Sequence, residues 1–556
     1  MTAVAHRWTG QGVAPGAAVA GSWRADRPVP ASTVHIGPAE VEAAFEAVAA
    51  DLDRAAERVR AQGRTAAADI VAVGALIAAD PDLVDSAKQA AGADQPLPAV
   101  RDAVESYAVV LDALPDEALR QRAADVRQVG RRVLERLAYP DGGRDAPAGD
   151  RFVLVAGEIG PADLIEHFGA GLVGAVAVRG GANSHAAIVA RSVGLPLVMG
   201  VDAEVLDLPD ATDLLVDADA GTVVAEPSQT EVAHTEAATA RETERRTALA
   251  AERGLPHVTA NGQPFGLYAN VASDVEVRLA LESGAIGSGL VRTELEFLES
   301  DRWPSEADHR RMLTPLLAEA HGRPVTVRLL DFANDKIPPF LSPPAGLPTL
   351  LANPAALTAQ IRAIVDLGRG VGLRIMVPMV TSPDQLAPVR AIVNAASVTF
   401  GVPAPPVGAM IETIAAVREI EAICQVVDFL SIGSNDLTSE VLDLDRIDPR
   451  ARTELAAHPK VLSLIGRVVE ASDAAGLPPL TVCGDAGSHP TTLPLLLGAG
   501  VRSVSVAVAR IDETRWRLRR LDTTECRTLF VDALHQGGGA GDVTELVEER
   551  IEVAMP

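Results

Sequence analysis

The chain has 556 residues and a formal net charge of −26, with 48% hydrophobic and 3% aromatic residues. The acidic balance argues against nucleic acid and anionic membrane as partners, because both require a basic surface, and an anionic substrate would need a local cluster of arginine or lysine. The length predicts three or four domains, with cores built from Ala, Val and Leu.

Cysteine usage and hydropathy predict a cytoplasmic protein. Cys424, Cys483 and Cys526 lack the spacing of a disulfide framework or a zinc site, which favours a reducing compartment. No apolar run reaches the roughly 18 residues of a spanning helix, so we expect no membrane insertion. The first residues also lack the continuous apolar core of a signal peptide.

The first third of the chain is predicted to be helical after a short start. Residues 1–35 are typical of loops and short strands, and apolar residues then recur at spacings of three and four up to Leu137. Prolines divide this stretch into several helices, at Pro81, Pro96, Pro98 and Pro115. Residues 40–120 carry 16 acidic and 7 basic side chains, a net charge of −9. Such a surface is either simply solvated or a docking surface for a basic partner.

A compact α/β unit follows, and the helical segment is predicted to be inserted into it. The strand-like runs begin at Phe152 and are interrupted by a helix over 161–168. Further strands are expected at 175–178, 196–199 and 222–224. The charged segment 231–253 then predicts a linking helix, although an ordinary surface helix would have the same composition.

The candidate nucleophile is His185, which lies in the run Gly180-Gly181-Ala182-Asn183-Ser184-His185. The glycine pair permits a sharp turn and close approach of a ligand, and Ser184 is a suitable cap for the helix that follows. A helix N-terminus favours an anion, so an imidazole there is suited to accepting a phosphoryl group. The alternative is a histidine that merely begins an ordinary helix.

Eight strand-like runs alternate with helices after Pro264 and predict a C-terminal (β/α)₈ TIM barrel, with a doubly wound sheet as the alternative. The fold class is therefore a multidomain α/β protein, with an α/β domain that carries His185, a helical insertion in that domain and a C-terminal barrel. The predicted strands are 265–271, 288–292, 325–330, 374–378, 407–411, 429–432, 480–483 and 503–508. The predicted domains are 1–36 with 140–228 (α/β), 37–139 (helical insertion), 229–256 (linker) and 257–556 (barrel).

Polar residues follow the predicted barrel strands at their C-terminal ends, where active sites of such barrels form. Glu412 and Asp436 offer the hard oxygen ligands that suit Mg²⁺. The arginines have the fork geometry that clamps a phosphate, and Cys483 is either a proton donor or a small buried hydrophobe. The other candidate residues for holding the substrate are Arg292, Arg328, Lys336, Asn435 and Arg446, with Asp436 facing both substrate and metal.

The run 180–191 resembles the phosphohistidine motif of the phosphoenolpyruvate (PEP)-utilising enzymes. The runs 289–294 (GLVRTE), 410–413 (MIET), 431–438 (SIGSNDLT) and 483–485 (CGD) are similar to the barrel motifs of Enzyme I of the sugar phosphotransferase system. The segment 123–132 (AADVRQVGRR) is similar to its N-terminal half. Pyruvate phosphate dikinase shares these motifs but needs an ATP-grasp domain, for which the chain has no room.

The resemblance implies a PEP-dependent protein-histidine phosphotransferase. His185 would take the phosphoryl group from PEP on Nε2, Glu412 and Asp436 would hold Mg²⁺, and Cys483 would protonate the enolate to give pyruvate. The phosphoryl group would pass to an HPr-like carrier docked on the helical insertion. The resemblance also implies large domain motion and a homodimer formed through the barrel.

The chain departs from the family pattern after the third barrel strand. The family carries an Asn-Pro-x-Leu-Gly-x-Arg motif there, whereas residues 340–349 of this chain read FLSPPAGLPT and no arginine lies between Arg328 and Arg362. This difference leaves an alternative open, a regulatory paralogue that binds the carrier without efficient PEP turnover. A metal-dependent C–C lyase that uses the barrel alone is a third hypothesis.

Overall fold

The computed structural model describes residues 6–24, 36–61, 65–113, 117–139, 151–181, 184–332, 336–342, 346–444, 453–536 and 538–551. The chain divides into two compact units, Met1–Glu244 and Arg245–Pro556.

The first unit combines a sheet with a layer of helices. Its strands are β1 (Arg7–Thr9), β2 (Gln11–Ala14), β3 (Ala17–Arg24), β4 (Phe152–Glu158), β5 (Leu172–Arg179), β6 (Leu197–Met199), β7 (Asp213–Asp217) and β8 (Thr222–Ala225). Its helices are α1 (Pro38–Ala61), α2 (Thr65–Ala78), α3 (Pro81–Ala90), α4 (Pro96–Asp112), α5 (Glu117–Ala138), α6 (Pro161–His167) and α7 (His185–Val193), and α8 (Gln229–Ala250) crosses the boundary between the units.

The sheet of this unit has the order β1-β8-β7-β3-β4-β5-β6-β2. Strands β1 and β2 stand at opposite ends of this order, although only Gly10 separates them in the sequence. The sheet must therefore curl so that its two edges approach each other. Side chains of β4 alternate between two cores: Leu154 packs with the helices and Val155 packs on the other face. The five helices α1–α5 occur between β3 and β4 in the sequence. Pro81 and Pro96 each occupy a first helical turn, where proline leaves no hydrogen bond unmade.

The second unit is a closed parallel barrel. Its strands are β9 (Gly266–Val271), β10 (Ser288–Val291), β11 (Pro324–Arg328), β12 (Gly372–Val377), β13 (Val407–Ile411), β14 (Phe429–Gly433), β15 (Thr481–Cys483) and β16 (Ser503–Ala507). Its helices are α9 (Asp274–Glu282), α10 (Glu306–Glu319), α11 (Leu347–Leu351), α12 (Pro354–Leu367), α13 (Leu386–Phe400), α14 (Ile414–Arg418), α15 (Ile420–Cys424), α16 (Ser434–Leu442), α17 (Pro459–Ala474), α18 (Thr492–Ala499), α19 (Ile511–Leu518), α20 (Thr523–His535) and α21 (Ala540–Arg550).

Strand pairing confirms the barrel and excludes the doubly wound sheet, because β16 pairs with β9 in parallel and closes the ring. The eight barrel strands lie within two residues of their predicted bounds. Strand β7 was not predicted, and the segment expected to hold loops and short strands contains the eight-residue strand β3. No helix in the described part of the chain is long and apolar enough to cross a membrane.

Candidate active site

The barrel places the predicted polar residues at one rim. Arg328 and Cys483 are the last residues of β11 and β15, while Arg292 and Glu412 directly follow β10 and β13. Asn435 and Asp436 lie in the first turn of α16, which starts where β14 ends. Because the strands are parallel, their C-terminal ends share the face of the barrel on which active sites form.

A buried ionic cluster surrounds Arg328. Its Nη2 donates to Glu294 Oε1 at 2.6 Å and its Nη1 lies 2.8 Å from Asp331 Oδ2. Lys336 donates to the same Glu294 oxygen at 3.1 Å. Burial alone would raise the pKa of Glu294, but the cations Arg328 and Lys336 outweigh it and lower that pKa. The cluster therefore keeps two positive side chains at the rim with a carboxylate between them.

A hydrogen-bond network fixes the backbone around Arg328. Thr293 donates through Oγ1 to the Arg328 carbonyl at 2.9 Å. The buried Gln360 donates to Thr293 Oγ1 at 2.9 Å, and its own oxygen accepts from the Leu330 amide at 3.0 Å. This network holds the end of β11, and with it the guanidinium, in one position.

Arg292 is half-buried, and its guanidinium makes no hydrogen bond or ion pair with other residues in the described ranges. An arginine that is held at the rim without a protein partner is available to an anionic ligand.

Glu412 is a buried carboxyl group of the rim with a strongly raised pKa. It is 1% exposed, and its Oε1 accepts from the Met379 amide at 2.6 Å. Burial, followed by the charges of Asp331 and Asp436, raises the pKa of Glu412 to about 8. Burial likewise raises the pKa of Asp331. The buried carboxyl groups of the site thus outnumber the two buried cations, Arg328 and Lys336, that could balance them as carboxylates.

This charge imbalance fits a divalent cation. Among the residues that the structure describes, the buried oxygens Glu294 Oε2 and Asp331 Oδ1 have no hydrogen-bond partner. Within the described ranges, no group of three or more His, Cys, Asp or Glu is arranged to hold a metal on its own. Two carboxylates such as Glu412 and Asp436 would suit Mg²⁺, which usually takes one or two carboxylates and completes its shell with substrate oxygens and water.

The turn after β15 brings Asp485 to Asn435. Asn435 Nδ2 donates to Asp485 Oδ2 at 3.1 Å, and the Asp485 amide donates back to Asn435 Oδ1 at 3.2 Å. The turn depends on Gly484, which has a φ of 145°, and a Cβ there would collide with Ser434 Oγ. Asn435 is therefore held in place by the neighbouring loop.

Cys483 lies inside the barrel and is 4% exposed. Its Sγ is 3.0 Å from Ser431 Oγ, and its apolar neighbours include Met376 and Phe429. Burial raises the pKa of the Cys483 thiol to about 11, so at neutral pH the group keeps its proton. Such a thiol is suited to donating a proton rather than to nucleophilic attack.

In the first unit, His185 is the first residue of α7. Ser184 caps the helix by accepting from the Ala187 amide at 3.2 Å. His185 Nδ1 lies 3.0 Å from Oδ2 of Asp125 on α5. Because an ionised carboxylate only accepts hydrogen bonds, this pair assigns the ring hydrogen to Nδ1 and leaves the lone pair of Nε2 available.

An ionic cluster between α5 and α6 supports the Asp125–His185 pair. Asp163 of α6 bonds Arg131 and, at 3.2 Å, Arg132, and Arg131 also donates to the Glu158 carbonyl at 3.1 Å. Burial would raise the pKa of Asp163, but these two guanidinium groups outweigh it and hold the pKa below its usual range. The cluster fixes α5 against the α/β layer that carries His185.

The structure brings most of the predicted rim residues together and adds others. Arg446 and Asn183 lie outside the described residues. The sequence reasoning did not single out Asp125, Glu294 or Ser431 as functional side chains. Each of these residues lies in a run that resembles a family motif, so the sequence did contain a signal that could have identified it.

Three family models together match most of the chain. They are described as "PEP-utilising enzyme, PEP-binding domain" (residues 246–523), "PEP-utilising enzyme, mobile domain" (148–221) and "PEP-utilising enzyme, N-terminal" (9–122). The chain belongs to the PEP-utilising enzymes. The match to the PEP-binding model contains all eight barrel strands, and the match to the mobile-domain model contains His185.

Curated relatives agree with this membership. A "Phosphoenolpyruvate-protein phosphotransferase" of Streptomyces coelicolor is 34% identical over 522 residues, covering 90% of this chain and 89% of the relative. A "Multiphosphoryl transfer protein" of Rhodobacter capsulatus is 33% identical over 82% of this chain, and one of Xanthomonas campestris pv. campestris is 34% identical over 78%. The matched region spans only 56% and 53% of the length of these last two relatives.

Proposed function

We propose that this protein is a PEP-dependent protein-histidine phosphotransferase. His185 Nε2 attacks the phosphorus atom of PEP, the bond from phosphorus to the enol oxygen breaks, and the enolate of pyruvate leaves. The observation that carries the proposal is the 3.0 Å contact between His185 Nδ1 and Asp125, which leaves Nε2 as the nucleophile. The carboxylate also stabilises the positive charge that develops on the ring.

The rim of the barrel would bind PEP through positive charge and fixed donors. Arg328 and Lys336 are positioned by Glu294, and Arg292 adds a guanidinium without a partner in the described ranges. Asn435, held by Asp485, supplies an amide donor. We include Arg446 in this set because of its sequence context alone. Phosphoryl transfer depends mainly on such positioning and neutralisation of phosphate oxygens.

Glu412 and Asp436 would hold Mg²⁺. When bound, the ion would neutralise charge on the phosphate oxygens. The raised pKa of Glu412 supports this assignment, because a buried carboxyl group beside two other acids is stabilised as a carboxylate by a cation.

Cys483 would protonate C3 of the enolate to give pyruvate. Its pKa of about 11 keeps the thiol protonated until the strongly basic enolate carbon forms. The pathway requires His185 to visit the barrel rim and then a carrier, so we include a rigid-body movement between the units in the proposal.

The phosphoryl acceptor would be a histidine of an HPr-like carrier docked on the helical insertion, which we place at residues 37–139. The acidic surface of residues 40–120 suits a basic carrier. Apolar side chains also lie exposed there: Leu76, Val109 and Val110 are 71%, 51% and 63% exposed. We further propose that the barrel, residues 257–556, forms a homodimer.

The departure from the family motif in the sequence of residues 340–349 favours a second candidate, a paralogue that binds the carrier without efficient PEP turnover. Incubation with PEP labelled in its phosphoryl group, with and without Mg²⁺, separates the two functions. The enzyme should acquire an acid-labile, base-stable label that His185→Ala lacks and that a carrier removes. An unlabelled wild-type protein that still binds the carrier would support the paralogue.

A further inference from the structure

A hydroxyl group contacts the Cys483 thiol inside the barrel. Ser431 on β14 is 2% exposed, and strand register places it opposite Thr481 of β15, two residues before Cys483. The distance from Ser431 Oγ to Cys483 Sγ is 3.0 Å. Ser431 Oγ is also 2.9 Å from the Thr481 carbonyl oxygen. The contact with sulfur is buried, and the one with the Thr481 carbonyl is partly buried.

The single hydroxyl hydrogen of Ser431 couples the directions of these two bonds. A serine hydroxyl has one hydrogen, and the Thr481 carbonyl can only accept it. While Ser431 donates to that carbonyl, a lone pair of the Ser431 oxygen faces sulfur. In that arrangement the Cys483 S–H is the donor of the 3.0 Å contact. The Gly289 carbonyl oxygen, a second acceptor for the thiol, is 3.9 Å away. The remaining neighbours in the cluster are apolar: Leu290, Met376, Met410 and Phe429.

A second hydroxyl, that of Ser505, also hydrogen-bonds the thiol and lowers its pKa. Ser505 is the register partner of Cys483 on β16, and its Oγ donates to Asn270 Oδ1 at 2.7 Å. Its single hydrogen therefore already has a strong acceptor. The Thr481 carbonyl is likewise an uncharged acceptor, and Ser431 Oγ lies 3.0 Å from sulfur, so the Ser431 hydrogen can turn toward sulfur when sulfur becomes negative.

We propose that Ser431 is the positioning residue for protonation of the enolate by Cys483. Before the transfer, Ser431 Oγ holds the S–H hydrogen in place. In the transfer the S–H bond breaks, the C3–H bond of pyruvate forms, and the electron pair stays on sulfur. The Ser431 hydrogen then turns from the Thr481 carbonyl to the thiolate, and solvent returns a proton to sulfur. This inference rests on the proposed function.

The surroundings of the thiol make a hydrogen bond from Ser431 to the thiolate necessary. Arg328 favours the thiolate and Glu412 disfavours it, and burial disfavours it most. A hydrogen bond to a charged group stabilises it by more than one to a neutral group. Loss of the Ser431 hydroxyl should therefore slow proton transfer by about 10- to 100-fold.

The test compares Ser431→Ala with Ser431→Thr, which keeps a hydroxyl. Ser503→Ala is the matched control: it removes a buried hydroxyl of the barrel interior that bonds Thr481 Oγ1 at 3.1 Å rather than the thiol. Two measurements are made on the full-length enzyme. The first is the infrared S–H stretch of Cys483, isolated by subtracting the spectrum of Cys483→Ala. The second is pyruvate release from PEP in a single turnover.

In Ser431→Ala the S–H band should move to higher frequency, and pyruvate release should slow about 10- to 100-fold with an unchanged KM for PEP. Ser431→Thr should restore both, and Ser503→Ala should change neither. An S–H band that stays in place, or normal pyruvate release in a folded Ser431→Ala enzyme, overturns the inference alone. A wild-type enzyme that forms neither phosphohistidine nor pyruvate overturns the proposed function and this inference with it.

Discussion

The pKa of Glu412 makes the stability of the barrel depend on pH. In the unfolded chain this carboxyl group has an ordinary pKa of 4.5, and in the folded barrel its pKa is about 8 because of burial and of the nearby Asp331 and Asp436. Between these two values the folded state binds a proton that the unfolded chain has released. The free energy of unfolding therefore falls as pH rises through this window, and below pH 4.5 the group contributes no difference.

The size of the effect follows from the two pKa values. A gap of about 3.5 pH units, at about 1.4 kcal/mol for each, gives an upper figure of about 5 kcal/mol. Glu412→Gln removes this titration, and the glutamine oxygen still accepts from the Met379 amide. We expect the variant and the wild type to have equal free energies of unfolding at about pH 4.5. At about pH 9 the variant should be more stable by several kcal/mol.

Hydrogen exchange of peptides from β13 and β14, followed by mass spectrometry, reports unfolding of this unit. Comparing wild type and variant at the same pH cancels the intrinsic pH dependence of exchange. Glu419→Gln, which removes an exposed glutamate between α14 and α15, is the control and should show no such trend. Equal pH dependence of wild type and Glu412→Gln would refute the assigned electrostatics.

Magnesium binding provides a second test of the raised pKa of Glu412. Binding to Glu412 requires the carboxylate, so adding Mg²⁺ near neutral pH should release about one proton and stabilise the wild type at high pH. Glu412→Gln should show neither effect. Calorimetry in buffers of different ionisation enthalpy measures the released proton, and equal release by both proteins would contradict the metal site.

Three further substitutions test other contacts. Asp125→Asn should slow phosphorylation of His185 by about 10- to 100-fold, because the amide no longer enforces hydrogen on Nδ1; an unchanged single-turnover rate with labelled PEP would contradict this. Arg328→Met should lower the free energy of unfolding by about 3–5 kcal/mol at neutral pH, since it leaves buried carboxylates without their cation. Denaturant unfolding measures the loss, and a variant as stable as the wild type would contradict a stabilising role of the ion cluster. Gly484→Ala should destabilise the rim by about 1–3 kcal/mol, because its φ of 145° is strained for alanine and Cβ would meet Ser434; an unshifted thermal transition would show that the turn relaxes freely.

The barrel could be predicted because its strands are short apolar runs separated by regular helical spacing. The predicted strand over 407–411 coincides with β13, and 480–483 differs from β15 by one residue. Strand β7, Asp213–Asp217, has only three apolar residues between two aspartates, so local periodicity gave little signal for it. The domain bounds and the roles of the site residues stay predictions.

The sequence by itself determined the family and the fold class and supplied His185 and the rim residues as candidates, because these depend on local runs of chemically specific side chains. Only the tertiary structure decided the partners. Asp125 meets His185 across 60 positions and Ser431 meets Cys483 across 52. Helix packing and strand register set such contacts, and neither is encoded in the spacing of a short motif. Burial, which raises the pKa of Glu412 and Cys483, is likewise a property of the closed barrel and of no single segment.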